Sequence, residues 1–453
     1  MLAEFKVQRR KPLFTSTYTF YLNLFFYLLI TFQLIAVFLW WIFSAYFGKN
    51  FFASISSYPA DTWCDQKTQG VGIHCFGDFY YPLVLSHSNN PWDGLVGLNP
   101  YPALGMAPLK IFELVGIAFS SPRLGVIFFL TTLLISLSLP VIWAMKKLYS
   151  QSNFVLMLLL IGPTSIPALI TLDRGNTVGF LPPIIFYFVL SIIKNNKIHS
   201  SVAILLLSFI KPHFILLALI FVIFKSIRPL IVVPVASFSF HFLAFMLWPL
   251  SFPRNIQMFI GNILNFQVYG DLNKNQISFA KGVAFIEETV RKNIFNHEVE
   301  YSSLFSVNLQ DKIGIVVLAL TVLFLIINKH AIPKIQIVFM LIVSITLAPG
   351  TVWDYYSVIF ISFSAIIILG ANQKWNIDTV FFNTIKPRLN LVLNCFFILA
   401  LSVSFIRLPF NIPLNQDPEV IQTTSVLIPI VWLVYILFSN VAVLTLFRNR
   451  VSI

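Results

Sequence analysis

The sequence predicts an all-α polytopic membrane protein, and this prediction rests on its composition and on the length of its apolar runs. Hydrophobic residues make up 58% of the 453 positions and charged residues only 10%. Such a chain is too apolar to be covered by a water-facing surface. A bilayer core of about 30 Å needs roughly 20 apolar residues per helix, and runs of this kind recur along the chain. We therefore expect residues 1–453 to form a single integral membrane domain.

Apolar runs and the breakers between them predict about 12 transmembrane helices. They lie near residues 18–46, 123–145, 153–171, 177–193, 199–210, 213–224, 229–249, 313–328, 335–348, 355–372, 390–406 and 424–447. The first run is too long for a signal-peptide core, so we interpret it as a span. The runs at 199–210 and 213–224 form either one span or two half-length helices. Because Pro212 disfavours helical geometry at Lys211, a break is favoured there.

The placement of charge predicts the orientation of these spans. With both termini in the cytoplasm, 17 of the 30 Lys and Arg residues lie on cytoplasmic segments, together with only two acidic residues, Glu4 and Asp378. This is the positive-inside pattern. The net charge of +13 therefore indicates topology and contact with anionic lipid in a cell membrane, and we expect no nucleic-acid partner.

Two predicted extracytoplasmic segments are long, at about 47–110 and 250–312. The second contains "KGVAFIEETVRKNIF", whose pattern is typical of an amphipathic helix on the membrane surface. The first contains Cys64 and Cys75, which either form a disulfide in an oxidising compartment or remain as thiols. The sequence has no zinc-ligand spacing, nucleotide-binding glycine loop or serine elbow, so we expect neither a metal nor a cofactor.

Asp78 is the candidate catalytic residue of the first long segment. It stands in "GDFYYP", beside Phe79, Tyr80 and Tyr81. One interpretation is a capping carboxylate next to an interfacial aromatic belt. The other is a general base, because burial against aromatic rings adjusts the pKa of a carboxylate that takes a proton from a bound hydroxyl. Aromatic faces also suit sugar rings.

Further polar groups fall at the predicted outer ends of the spans. "NPYPALG" contains two prolines and a glycine, so we expect a rigid non-helical turn that presents Tyr101. The other clusters are "LDRGNTVGF" with Asp173, Arg174 and Asn176, "FIKPHF" with Lys211 and His213, and "LAPGTVWDYYSV" with Trp353, Asp354, Tyr355 and Tyr356. Each has a structural explanation as an interfacial ion pair, a snorkelling lysine or an aromatic belt. Because an ionisable residue at membrane depth is costly, Lys211 is nevertheless a functional candidate, with a phosphate or a carboxylate as its partner.

The ordered set "GDFYYP, NPYPALG, DRGN, KPH, NQIS, APGTVWDYY" resembles the polyprenol-phosphate-mannose-dependent mannosyltransferases of glycosyltransferase family 87. These belong to the C-type superfamily of membrane glycosyltransferases. The resemblance covers about residues 76–360. It implies a C-type fold, with Asp78 as the catalytic base, Tyr101 and Pro102 as a supporting turn, Gly175 and Asn176 as a polar turn, and Lys211 as a donor-phosphate contact. With the polar and aromatic clusters, the full set of expected substrate-binding residues is Tyr81, Tyr101, Arg174, Asn176, Lys211, His213, Asn275, Trp353, Asp354 and Tyr355.

The sequence departs from the family pattern at three places. Ala103 stands where a second proline is usual, Ala348 precedes Pro349 where serine is common, and Tyr355 and Tyr356 occupy positions expected for histidines. Without these imidazoles, the expected contact to the phosphate lacks its usual residues. His213 is the candidate that could supply an imidazole instead.

The residues and the resemblance together predict an extracytoplasmic transfer reaction. The expected donor is a polyprenyl-phosphate-linked sugar, with mannose implied by the resemblance, and the expected acceptor is a cell-envelope glycolipid or glycan. Transfer would proceed with inversion, with Asp78 as the base and with Lys211, helped by Arg174, on the departing phosphate. Two alternatives stay open: a flippase or transporter of lipid-linked oligosaccharides, and a polymerase or ligase of lipid-linked polysaccharides.

Membrane sidedness provides the first test. We predict that residues 61–100 are extracytoplasmic and residues 194–197 cytoplasmic, because of the charge distribution. In a variant without native cysteines, a membrane-impermeant thiol reagent should label a cysteine at position 90 in intact cells, and one at position 195 only after permeabilisation. The reverse labelling pattern would contradict the topology.

Overall fold

The computed structural model shows a predominantly helical protein with several apolar helices. It describes residues 13–47, 51, 76–79, 88–93, 99–146, 154–269, 276–294, 309–330, 332–350, 352–370, 387–410 and 422–451. Two predicted site residues, Tyr81 and Asn275, and the cysteines Cys64 and Cys75 lie outside these ranges.

The elements follow one another along the chain with short connections between most of them. The helices of the first half are α1 (Leu13–Phe47), α2 (Ala103–Ala118), α3 (Pro122–Lys146), α4 (Phe154–Ile161), α5 (Ile166–Arg174), α6 (Leu181–Ile193), α7 (Lys197–Ile210), α8 (Leu219–Ile223) and α9 (Ile227–Phe245). Those of the second half are α10 (Arg254–Tyr269), α11 (Phe279–Ile294), α12 (Gln310–Asn328), α13 (Lys334–Leu347), α14 (Phe360–Gly370), α15 (Pro387–Val403) and α16 (Leu427–Val451).

Short elements join several of these helices. Segments of 3-10 helix cover Thr177–Phe180, Pro212–Ala218, Pro249–Ser251, Asp354–Ile359 and Thr424–Val426. An antiparallel pair of two-residue strands, β1 (Pro409–Phe410) and β2 (Gln422–Thr423), precedes α16, with Pro409 opposite Thr423.

Four helices in the described part of the chain are long and apolar enough to cross a membrane. They cover Phe20–Tyr46, Arg123–Lys146, Ile227–Phe245 and Thr424–Ala442. A fifth span results if the bent pair Val155–Ile161 and Ile166–Arg174 is counted as one. Seven other apolar helices have 10–17 residues. A membrane protein is thus supported, whereas the count of 12 spans stays a prediction.

The helix breaks follow local chemistry. The run predicted as one span at 153–171 is bent by 59° between α4 and α5, where Gly162 and Pro163 interrupt the helix. The predicted break at Lys211 is confirmed: α7 ends at Ile210, and Lys211 has extended backbone angles, φ −140° and ψ 111°. Residues 199–224 therefore form two consecutive helical segments.

The expectation of a wholly non-helical turn at "NPYPALG" was wrong for its last three residues. Helix α2 begins at Ala103, directly after Pro102 in extended conformation. A proline next to a helix start costs little, because the first backbone N–H groups have no intrahelical acceptor in any case. Only residues 99–102 form the turn that presents Tyr101.

The second long segment contains two helices, one of which the sequence analysis did not identify. The missed helix is α10. The amphipathic helix expected at 281–295 is present as α11, and its small buried residues face α16: a Cβ added to Gly282 would lie 3.1 Å from Pro429. Its expected location on a membrane surface stays a prediction.

The centre of the protein is formed by helices that are apolar on every side. All described side chains of α14, and those of α13 from Ile335 to Leu347, are buried, as expected for helices without a polar face. The rings of Phe339 and Phe363 stack at 4.0 Å between centroids. By contrast, α1 exposes Tyr27 and other large apolar residues, which suits contact with lipid. The buried α14 carries the segment Asp354–Ile359 at its start, and this segment borders the candidate site.

Candidate functional site

Asp78 lies at the centre of a polar cluster that joins three distant parts of the chain. Arg174 donates from Nε to Oδ2 at 3.3 Å and from Nη2 to Oδ1 at 3.1 Å. Asn176 donates from Nδ2 to Oδ2 at 2.8 Å. A carboxylate offers about four lone-pair directions, and these bonds occupy three. The side chain of Asp78 is 15% exposed, so the remaining direction is open to a bound hydroxyl.

The end of α5 turns Arg174 and Asn176 towards the same carboxylate. Helix α5 ends at Arg174, and Gly175 follows in the left-handed conformation with φ 63°. Asn176 then caps the next 3-10 segment, since its Oδ1 accepts the Val178 N–H at 2.9 Å. A residue with a side chain is disfavoured at Gly175, because left-handed geometry is strained and a Cβ would lie 3.0 Å from the Cβ of Phe79.

Tyr101 forms the next side of the cluster. Asn176 Nδ2 lies 3.4 Å from its hydroxyl oxygen. The backbone of Tyr101 is held on both sides: its N–H donates to Asn99 Oδ1 at 3.1 Å, and its carbonyl accepts from Trp92 Nε1 at 2.9 Å. Asn262 of α10 donates to the Trp92 carbonyl at 3.1 Å. The missed helix α10 thus supports the turn that carries Tyr101.

Lys211 lies over the Tyr101 ring. Its Nζ is 4.7 Å from the centroid of Tyr101 and 5.6 Å from that of Tyr356, distances typical of cation–π contacts. Within the described ranges, no carboxylate lies in salt-bridge distance of this ammonium group. The extended backbone at the end of α7 directs Lys211 away from the helix, so the predicted break is also what places the charge.

Tyr101, Tyr356, Tyr355 and His213 form an aromatic wall beside Lys211. The ring of Tyr355 stacks on that of Tyr356 at 5.4 Å, and the His213 ring lies 6.0 Å from Tyr356. His213 Nε2 is buried and has no hydrogen-bond partner among the described residues. The Tyr355 carbonyl accepts from Thr171 Oγ1 of α5 at 3.2 Å, which ties this wall to the helix that bears Arg174.

Burial determines the electrostatics of the cluster. Desolvation raises the pKa of Asp78 from 3.8 to about 6, although the Asn176 hydrogen bond and the Lys211 charge act in the opposite direction. Burial also raises the pKa of the Tyr101 phenol, and the Asp78 charge adds to this effect. Asp78 is therefore a stronger base than an exposed carboxylate, and Tyr101 stays protonated at neutral pH.

Two predicted site residues lie elsewhere. The Asp354 carboxylate is buried against Arg407, with Nε 3.4 Å from Oδ2, and both side chains are 1% exposed. Trp353 is half-buried and pairs through its backbone with Gln276. The structure thus brings together Asp78, Tyr101, Arg174, Asn176, Lys211, His213 and Tyr355.

The sequence analysis missed three residues that the structure connects to this site. Tyr356 was named in the "LAPGTVWDYYSV" cluster and as a departure from a family pattern, but not as a substrate-binding residue, although it borders Lys211. Asn262 was not considered, because its helix was not predicted. Arg407 had a visible signal, since it is an arginine within the apolar run "LSVSFIRLPF", where a charge is costly.

Within the described ranges, no three His, Cys, Asp or Glu side chains are placed to hold a metal ion.

The left-handed turn after α5 provides a stability test. We expect Gly175→Ala to destabilise the protein by about 1–2 kcal/mol, because alanine is strained at this φ and its Cβ would push Phe79 away. Gly261→Ala in α10 is the matched control, since no atom lies within 4 Å of the added Cβ. It should be neutral or stabilise the protein by about 0.5–1 kcal/mol. Thermal unfolding of both variants in detergent measures the difference, and equal melting temperatures would contradict this account.

Comparisons of the chain with protein-family models, with curated proteins and with solved structures find no match. The function proposed below is therefore based on the residues of the Asp78 cluster and on their chemistry.

Proposed function

We propose that this protein is a membrane glycosyltransferase that moves a sugar from a polyprenyl-phosphate donor to a hydroxyl of an extracytoplasmic glycolipid or glycan. The observation that carries the proposal is that a half-buried carboxylate, Asp78, and an ammonium group, Lys211, lie in one cluster with Tyr101. Asn176 contacts both the Asp78 carboxylate and the Tyr101 hydroxyl, and Lys211 lies over the Tyr101 ring. Transfer of a glycosyl group requires a base for the incoming hydroxyl and a cation for the departing phosphate. This cluster offers both.

The proposed reaction is a single displacement. Asp78 takes the proton of the acceptor hydroxyl, whose oxygen attacks the anomeric carbon of the donor. The bond between this carbon and the phosphate oxygen breaks, and polyprenyl phosphate leaves with the bonding electron pair. Attack opposite the leaving group inverts the anomeric configuration. Lys211 stabilises the charge that develops on the phosphate, an effect that is larger where water is scarce.

The charges of the cluster favour a monophosphate donor over a pyrophosphate donor. Arg174 is committed to Asp78 through two hydrogen bonds, so these two charges balance locally. Among the described residues of the cluster, one carboxylate and two cations leave a net charge of +1. A sugar phosphodiester carries one negative charge, whereas a pyrophosphate-linked sugar carries two. In this proposal Arg174 orients the base, a change from the phosphate contact expected from the sequence.

The aromatic wall supports a sugar substrate. Tyr101, Tyr355 and Tyr356 provide ring faces and hydroxyl groups around Lys211. Such faces pack against the apolar C–H surface of a pyranose, and phenol groups hydrogen-bond to its hydroxyls. The proposal includes three more specific points. The sugar is mannose, the fold is of the C type, and 12 spans place the site on the extracytoplasmic side.

Comparison of cell-envelope lipids provides the main test of function. Mass spectrometry of glycolipids from cells with and without the protein should show an acceptor that lacks one hexose in its absence. Purified protein supplied with synthetic farnesyl phosphomannose and the accumulated acceptor should restore the missing sugar. A flippase would instead change the sidedness of a lipid-linked sugar without forming a new glycosidic bond, and that result would contradict the proposal.

The role of Asp78 is tested by Asp78→Asn, which keeps the shape and removes the basic carboxylate. General-base assistance contributes roughly 100- to 10,000-fold, so transfer should fall by at least about 100-fold. Wild-type kcat/KM should decrease below pH about 6, because protonation of Asp78 removes the base, and reach a plateau above it. The residual rate of Asp78→Asn should lack this dependence.

Asp93→Asn is the matched control for this experiment, because Asp93 is an exposed carboxylate of the same predicted outer segment. It should leave the rate and the pH profile unchanged. A near wild-type rate of purified Asp78→Asn would reduce Asp78 to a structural partner of Arg174.

The role of Lys211 is tested by its effect on donor binding. Lys211→Ala should weaken binding of farnesyl phosphomannose by about 10-fold or more, as expected for the loss of a charge-assisted contact, while Lys211→Arg should retain more affinity. Both variants should remain folded in the membrane, since the ammonium group has no described carboxylate partner. Lys292→Ala is a suitable control, because Lys292 is an exposed lysine of α11. Unchanged donor affinity in Lys211→Ala would make Lys211 a snorkelling residue.

A further inference from the structure

A buried ion pair lies directly behind the aromatic wall of the site. Asp354 is the first residue of the 3-10 segment Asp354–Ile359, and the next two residues are Tyr355 and Tyr356. The Asp354 carboxylate points away from the cluster, towards Arg407. The backbone that carries both rings is therefore fixed at its start by a side chain that does not itself face the site.

Arg407, two residues before β1, connects this point to α1. Its Nε lies 3.4 Å from Asp354 Oδ2, and Ser425 Oγ lies 3.5 Å from the same oxygen. The Arg407 carbonyl accepts a hydrogen bond from Trp40 Nε1 of α1 at 2.7 Å. The guanidinium group lies 5.6 Å from the centroid of the Trp40 ring. Helix α1, the strand pair and the start of α14 thus meet at one arginine.

The Tyr355 and Tyr356 rings are held from two directions. On the site side, Thr171 Oγ1 donates to the Tyr355 carbonyl at 3.2 Å. On the far side, Asp354 is held by Arg407 and Ser425. Immediately before this segment, the Ile277 N–H donates to the Val352 carbonyl at 2.6 Å. A displacement of Asp354 would therefore move the rings beside Lys211, although it would leave the Thr171 contact in place.

A buried ion pair at this place is better explained by the orientation that it gives to Asp354 than by a gain in stability. Removing two charges from water is costly, and well-packed apolar residues often stabilise a protein as much as a buried ion pair does. The geometric gain from such a pair is directional, because the planar guanidinium group fixes the orientation of a carboxylate better than a lysine or an apolar contact does.

We infer that Arg407 is a positioning residue of the proposed donor site, which holds Asp354 and thereby fixes the Tyr355 and Tyr356 rings next to Lys211. This inference rests on the proposed function for its ligand, a polyprenyl-phosphate-linked sugar. Arg407 itself is 1% exposed and contacts no substrate. Its effect on binding is transmitted through the backbone of residues 354–356.

The test combines a spectroscopic probe of the wall with a binding measurement on the 453-residue chain in lipid nanodiscs. 3-Fluorotyrosine at position 356 reports the wall by 19F NMR, and 3-fluorotyrosine at position 187, a half-exposed tyrosine of α6, reports the fold elsewhere. Arg407→Lys should shift or broaden the signal of position 356 and leave that of position 187 unchanged. It should also weaken binding of farnesyl phosphomannose by about 10-fold.

Arg291→Lys is the matched control, because Arg291 also pairs with a carboxylate, Glu287, but on α11. It should change neither signal. If Arg407→Lys is not recovered from the membrane, Ser425→Ala replaces it as the test, since it removes only one contact to Asp354 Oδ2. Ser425→Ala should shift the position-356 signal by a smaller amount. An unchanged signal at position 356 in the variant that is recovered overturns the inference.

The two proposals fail in different ways. If the wild-type protein does not bind farnesyl phosphomannose, the proposed function is wrong, and the 19F signals still decide whether Arg407 positions the wall. If binding is normal in Arg407→Lys and the position-356 signal is unchanged, the positioning role is wrong and the proposed function stands.

Discussion

A helix that ends among apolar side chains leaves backbone carbonyl and N–H groups that no water can satisfy, and the architecture of this protein depends on how these groups are paired. Three such breaks, after α5, after α7 and before α14, border the same cluster. Asn176 accepts the Val178 N–H, and Thr171 donates to the Tyr355 carbonyl. The residues that satisfy the breaks thus also arrange the site.

The same breaks allow charged groups to occupy an otherwise apolar interior. Arg174 ends α5, Asp354 begins its 3-10 segment, and Lys211 stands between α7 and the 3-10 segment that follows. At each of these places the backbone direction changes and a side chain leaves the helix surface. Because burial makes an unpaired charge costly, Asp78 is held by Arg174, and Asp354 by Arg407. Lys211 differs, since its described neighbours are aromatic rings. This asymmetry is the basis for placing an anionic substrate next to it.

The rigidity of the site comes from the helices behind it. Helices α13 and α14 are surrounded by protein, and their close aromatic packing leaves little freedom to shift. Arg407 connects this centre to α1, which faces outward. Tyr355 and Tyr356 stand directly before such a helix, so the proposed binding wall would be preorganised and a substrate would require less ordering.

Composition and apolar run length determined the class of this protein, the position of most helices and the break at Lys211, because these depend on local hydropathy and on proline. Residue type and spacing also identified Asp78, Arg174, Asn176 and Lys211 as candidates. Two features required the tertiary structure. Helix α10 was missed because its polar residues interrupt the apolar pattern, and the pairing of Arg174 with Asp78 joins residues 96 positions apart.

Asp354 shows most clearly that the partner of a charged side chain could not be predicted from the sequence. In the sequence it stands beside Trp353 and Tyr355 and looks like part of the same polar cluster. In the structure the 3-10 segment directs its carboxylate to Arg407 and the following rings to Lys211. Local sequence determined which residues carry charge and where helices end, whereas only the packing of distant segments decided which charge faces which partner, because that choice depends on contacts between residues far apart in the chain.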